Sequence, residues 1–210
     1  MQKRILLVCL LFLLIGCKKV EDNDHYIELV NDCLKDKQIT NDVARGYRYY
    51  VPRGVKKIHD YDYNQTFLIE DCTVYLYVDI ISYYYKKELQ VQKSSDDVYY
   101  QAIQNRDKNG YIKIQQDGEQ YFLSIVYHYS KIEAYTTRTN LSKIITLSSI
   151  ILNSIDYNDV VIEKVLSGDL GQFSEFTYEI DKPDGASSNF SQFLEEYVQK
   201  EEEAEQLPDE

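Results

Sequence analysis

The chain of 210 residues has no tryptophan, one methionine, three prolines and eight glycines. So little glycine and proline excludes collagen-like and low-complexity architecture, and it leaves no glycine-rich cradle for phosphates. Histidine is scarce as well. His25, His59 and His128 lie far apart, and neither a Cys-x-x-Cys nor a His-x-x-x-His spacing occurs, so no metal site is expected. The Gly-x-Ser-x-Gly elbow, the Walker loop, the His-Glu-x-x-His helix and the Ser-x-x-Lys pair are all missing. No catalytic residue is therefore assigned, and the chain reads as a non-enzyme. Glu70-Asp71 and Asp96-Asp97 are adjacent carboxylates, but neighbours point apart on a strand and rarely cooperate. Tyr83 and Lys87 match an oxidoreductase spacing by coincidence, as expected among 21 tyrosines. Positive charge is in deficit, with 23 Lys+Arg against 35 Asp+Glu and a formal net charge of −12. A field of that sign repels phosphate backbones and argues against a nucleic-acid partner.

What the chain does have is a core and an excess of tyrosine. Hydrophobic residues make up 44%, which suits a packed domain and not a disordered one. Tyrosine combines a large apolar ring with a polar tip, which suits both ordinary sheet packing and interfaces.

The N-terminus carries an address. Lys3 and Arg4 precede an unbroken apolar run from Ile5 to Ile15, about half the ~20 residues that a spanning helix needs. This is the pattern of a secretory leader, residues 1–16, and its removal makes the mature chain more acidic still. Leu14-Ile15-Gly16-Cys17 resembles the lipobox of bacterial lipoproteins: two aliphatic residues, a small residue, then cysteine. That resemblance implies a diacylglyceryl group on Cys17, cleavage just before it, and anchoring on the outer face of the cell membrane. Residues 17–23 then form a polar tether, and the covalent lipid is the only attached group expected, with no cofactor. Two or more acyl chains hold a domain stably, since each buried CH₂ contributes about 0.8 kcal/mol.

After processing, Cys33 and Cys72 remain. A pair in an exported chain is a disulfide candidate, with two buried thiols as the alternative. Further along, periodicity predicts a helix from Asp24 to about Lys37 with Ile27, Val30 and Leu34 on one face. An alternating strand over Gly46–Val51 follows, stopped by Pro52 and Gly54, then strands at Gln65–Glu70 and Thr73–Ser82, with Tyr83-Tyr84-Tyr85 emerging into solvent. His59 to Asp62 reads as a polar turn, and Asp97–Arg106 as a short helix or irregular segment. Asn109-Gly110 and Asp117-Gly118 read as turns around a hairpin of Tyr111–Gln115 and Gln120–Ser130, with Lys131–Arg138 continuing the sheet. Thr139 or Asn140 caps a helix, Leu141–Ile155, whose apolar residues form a wide stripe. A short helix, Asp159–Leu166, and a strand, Glu175–Ile180, close a domain of residues 24–182. Residues 183–210 read as a linker, an amphipathic helix bearing Phe190, Phe193, Leu194, Tyr197 and Val198, and an acidic tail. Helix, antiparallel strands and long helix make an α+β fold with the sheet packed against helices.

Two stretches of that fold are similar to the Mog1/PsbP-like family, seen also in DcrB-type bacterial lipoproteins. One is the aromatic strand ending in a Pro-x-Gly turn, Gly46 to Gly54. The other is a late strand running into a helix that ends Leu152-Asn153-Ser154-Ile155. The likeness spans residues 40–157 and lacks the tryptophan usual after the turn. It implies an accessory or assembly role and transfers no catalytic residue. The expectation is a membrane-anchored, non-catalytic interaction module with an envelope protein as partner; the alternative is a lipoprotein that binds a glycan or a small apolar solute.

Overall fold

A computed structural model describes residues 24–89 and 94–168. The leader, Cys17, the tether, the strand expected at Glu175–Ile180 and everything in 183–210 lie outside the described residues. Four helices are described: α1 (Asp24–Lys35), α2 (Ile80–Tyr85), α3 (Leu141–Ser154) and α4 (Asp159–Leu166). Ten strands accompany them. β1 (Asp42–Ala44), β2 (Tyr47–Tyr49) and β10 (Asp156–Tyr157) form a small sheet with β2 in the middle. The other seven are β3 (Val55–Tyr61), β4 (Asn64–Ile69), β5 (Cys72–Val78), β6 (Asp97–Asn105), β7 (Lys108–Asp117), β8 (Gln120–Tyr127) and β9 (Ser130–Thr136). They build one antiparallel sheet in the order β3-β4-β5-β9-β8-β7-β6. The fold is thus α+β, as expected.

Two meanders make the large sheet. The chain runs β3-β4-β5, crosses by way of α2 to the far edge, and returns through β6-β7-β8-β9 until β9 meets β5. One face holds the main core: Phe67, Val74, Leu76, Ile112, Ile114, Leu123, Ile125, Ile132 and Ala134 are all buried there. On it lies α3, which buries Leu141, Ile144, Ile145, Ile151 and Leu152. α1 packs on α3 through Val30 and Leu34.

The end of α3 explains the Leu152-Asn153-Ser154-Ile155 motif. The Asn153 side-chain amide donates to the carbonyls of Cys33 and Asp36 (3.1 and 3.2 Å), satisfying groups that the end of α1 leaves orphaned. Ser154 Oγ accepts from the backbone N–H of Tyr50 at 2.8 Å, tying α3 to the aromatic strand. Within β2, Tyr47 and Tyr49 are buried while Arg48 is exposed, as the alternation predicts. Gly54 has φ +86° in the Pro52–Val55 turn, the left-handed position that favours glycine.

Several elements differ from expectation. Asp97–Arg106 is not a helix: residues 97–105 form the edge strand β6, and a bulge between Asp97 and Tyr99 offsets the alternation that would have marked it. Asn109-Gly110 is not a turn. The reversal falls at Arg106-Asp107, and Gly110 sits inside β7. Tyr83-Tyr84-Tyr85 belong to helix α2, started by the Asp79 carboxylate accepting from the Ser82 N–H at 2.7 Å. His59 and Tyr61 end β3, a strand the charged run Lys56-Lys57 obscures. Asn140 precedes α3 without a side-chain cap, its amide donating instead to Asp71.

Candidate binding surface

The second face of the large sheet has no described helix packed on it, yet its centre is buried. Strict alternation sends Tyr75 and Tyr77 of β5, Tyr135 of β9, Tyr111 of β7 and Tyr100 of β6 to this side, with Phe122, Ser124 and Val126 of β8 between them. Phe122, Ser124 and Val126 are buried, so β8 is covered on both faces. Tyr100 and Tyr111 stack with centroids 5.9 Å apart, and Phe122 meets Tyr135 at 4.9 Å.

At the centre lies an ion pair. Lys131 and Glu133, two residues apart on β9 and hence on one face, bring Nζ to 2.8 Å from Oε2. Both are buried, at 8% and 5% exposure. Tyr77 stands opposite Lys131 and Tyr75 opposite Glu133 on β5, with Val126 and Ser124 opposite them on β8. Burial pulls the Lys131 ammonium down to about 8, opposed by its attraction to Glu133. Burial, and then the charge of Glu133, pushes the Tyr111 phenol up to about 12, tempered by a hydrogen bond with Ser124. A buried pair of this kind is weak support for stability, because desolvation offsets most of the attraction. Removing one partner alone would leave the other charge buried and unpaired, whereas replacing both by apolar residues costs little.

A second cluster sits at one end of the sheet, on the β8–β9 turn. His128 and Tyr129 both adopt left-handed backbone, φ +48° and +64°. Two-residue hairpin turns need positive φ at both positions and normally use Asn-Gly. A bulky pair is strained, by of order 1 kcal/mol or more per residue. The strain is held by named contacts: the His128 N–H donates to Asn109 O at 3.1 Å, the Tyr157 hydroxyl donates to His128 O at 2.8 Å, and the Asp79 N–H donates to Tyr129 O at 2.8 Å. Tyr83 stacks on Tyr157 with centroids 3.8 Å apart and planes 10° from parallel, and it meets His128 edge-on. Burial, then the nearby Lys108, lowers the His128 imidazole to about 4, leaving it neutral near pH 7.

The residues singled out in the sequence are dispersed. Cys33 and Cys72 are free thiols, so the candidate disulfide is not formed: Cys33 Sγ donates to Thr146 O at 3.6 Å and Cys72 Sγ to Tyr135 O at 3.0 Å. Burial raises both thiols above their usual range, which makes them poor nucleophiles. His25 and His59 are exposed, and no group of three metal-ligating side chains occurs among the described residues. Glu70 and Asp71 lie in the β4–β5 turn and not on a strand, and both reach the start of α3, Glu70 pairing with Lys143 and Asp71 accepting from Asn140. Tyr83 donates to Asp159 at 2.9 Å, and the cation over its ring is Lys86 rather than Lys87. Lys131 and Glu133 escaped sequence reading, because Lys-x-Glu in a strand is ordinarily a solvated face. The signal was its neighbour β8, which has no charged residue between Tyr121 and Tyr127. Among the described residues no helix is long and apolar enough to cross a membrane. No protein-family model matches the sequence, and no match to a curated protein is found.

Proposed function

We propose that this chain is a lipid-anchored envelope lipoprotein acting as a non-catalytic binding module, with the tyrosine-rich second face of its large sheet as the recognition surface. In this reading Cys17 carries the diacylglyceryl group on the outer face of the membrane, and the domain has the Mog1/PsbP-like arrangement implied by its aromatic strand and the motif ending α3. The observation that carries the reading is the set of five tyrosines around one buried ion pair. Rigid aromatic area supplies contact without much ordering cost. An envelope protein is the partner we favour.

Photo-crosslinking in native membranes tests this. A benzoylphenylalanine is placed at Tyr75 or Tyr111 and, as a control on α4, at the exposed Val160. A discrete protein adduct at the first two positions, absent at Val160 and absent from a Cys17→Ala form, is the expected result. Equal labelling at all three positions would overturn the assignment of the surface. Adducts to glycan or lipid at Tyr75 and Tyr111, with no protein, would replace the interaction module by the solute-binding alternative, for which the mixture of aromatic rings and paired charges is also suited.

A further inference from the structure

Strand β8 is apolar on both sides. From Tyr121 to Tyr127 it has no charged residue. It sends Leu123, Ile125 and Tyr127 to the first face of the large sheet, and Phe122, Ser124 and Val126 to the second. All six are buried. Such a strand is covered on both faces. α3 covers the first face, whereas no described helix lies on the second, so the matching cover belongs to another part of the chain. Residues 1–23 are the leader and a polar tether, and Gln90-Val91-Gln92-Lys93 is short and polar. The C-terminal segment is different. Phe190, Phe193, Leu194, Tyr197 and Val198 recur at i, i+3, i+4, i+7 and i+8, the apolar stripe of a helix that packs by one side. Gln192, Glu195, Glu196 and Gln199 fall on the opposite side.

We propose that residues 189–199 form a helix that docks by this stripe on the second face of the sheet of its own chain, as a strap over Lys131 and Glu133. Length permits it. α4 begins beside the β8–β9 turn, where Asp159 accepts from Tyr83. The roughly 20 residues between Gly168 and Phe190 reach up to about 70 Å when extended, against about 30 Å for the width of a seven-stranded sheet. The helix itself is about 16 Å long, close to the width of β5, β9, β8 and β7 at about 4.8 Å between strands. Charge agrees as well. Lys56 and Lys113 stand on this face through their register with Leu68 and Ser124, and the segment brings Glu195, Glu196 and Glu201-Glu202-Glu203. The strap goes beyond the reading above and stands with or without a partner. Any partner that uses the same surface has to displace it, so the segment governs access.

The test uses the purified full chain with no membrane or partner present, so its outcome is independent of the crosslinking described above. Benzoylphenylalanine is placed at Tyr75, at Tyr111 or, as control, at Val43, which is exposed on the small sheet. After irradiation the linked peptides are identified by mass spectrometry. Adducts within one chain, joining Tyr75 and Tyr111 but not Val43 to residues 189–199, are expected. Leu194→Asp should lower their yield at least tenfold, and Gln192→Asp, the same charge on the opposite side of the helix, should leave it unchanged. Tyr197→Ala, a milder change, should lower the yield several-fold and guards against a folding defect in Leu194→Asp. Adducts at the mass of two chains would overturn the proposal and assign the face to a second copy. Adducts to residues 169–182 alone, no adduct within the chain, or a yield that Leu194→Asp does not move would also overturn it.

Discussion

Gly110 runs so close beside Val126 that a Cβ built on it would lie 2.0 Å from the Val126 carbonyl oxygen and 3.0 Å from Tyr127 Cα. Both obstacles are backbone, so neither can swing aside. Gly110→Ala is therefore expected to force β7 and β8 apart and to cost about 3 kcal/mol or more. Urea denaturation reads this as a fall in midpoint with little change in slope. A loss below about 1 kcal/mol would mean that the two strands have room to separate.

The Lys131–Glu133 pair makes opposite predictions for single and double changes. Glu133→Gln leaves a buried ammonium without its counter-charge and should destabilise the fold by about 3 kcal/mol. Lys131→Met with Glu133→Leu removes both charges and should be neutral or stabilising, while weakening capture of a partner at Tyr75 and Tyr111. If the double variant is as unstable as the single one, the pair is a structural requirement and not a recognition device.

Alkaline pH gives an independent check on Lys131. Its native value of about 8 lies below the ordinary 10.5, so between these limits the unfolded chain holds more of that proton than the native one. Stability contributed by this group therefore rises with pH from about 8 to 10. Above that, the raised phenols act in reverse, since native Tyr111 keeps its proton to about 12. Chemical denaturation across this range should show the rise in the parent chain and lose it in Lys131→Met.

For His128 the window is acidic. Its native value of about 4, against an ordinary 6.5, means that the unfolded chain takes up this proton first as pH falls. Stability is intact above about 6.5 and declines toward 4. Burial is the main cause, joined by Lys108, Lys86 and Lys37 and opposed by Asp107. His128→Asn keeps a residue tolerant of left-handed backbone and removes the titration. Melting temperatures at pH 7 and 4.5 should converge in this variant relative to the parent; an unchanged difference would assign the acid sensitivity to carboxylates.

Asn153 joins two helices through one amide. Asn153→Ala should expose the Cys33 and Asp36 carbonyls to an unfilled gap and lower stability by about 1–2 kcal/mol. Hydrogen exchange in the last turn of α1 should quicken more than in α3. Uniform acceleration throughout would show that the amide holds no particular joint.

Regular periodicity was legible wherever it was uninterrupted. The α3 stripe, the β7–β8 hairpin and the alternation of Tyr47, Arg48 and Tyr49 all read directly from spacing, because each buries one unbroken face. The edge strand β6 was hidden by its bulge. Gly110 misled, because Asn-Gly marks a turn by local conformation while here glycine answers a contact with Val126 from the next strand. Such a contact has no local signature. Nor does the second face of the sheet. Tyr77, Lys131, Val126 and Tyr111 fall into one cross-strand row through register alone, which spacing within each strand does not determine. The His128-Tyr129 turn was illegible for the opposite reason: local chemistry argues against it, and contacts from Tyr157, Asp79 and Asn109 override it.

The crossover through α2 divides the large sheet into two meanders that meet along a single seam, β5 against β9. Each meander forms from hairpins, whereas the seam joins residues far apart in the chain and must wait for both halves. Tyr75 and Tyr77 stand on one side of that seam, and Glu133 and Lys131 face them from the other. The proposed recognition surface would thus exist only once the two halves have closed. Whatever grips both sides of it binds the closed sheet alone, so occupancy would act as a clasp, slowing the opening of the whole domain in proportion to affinity.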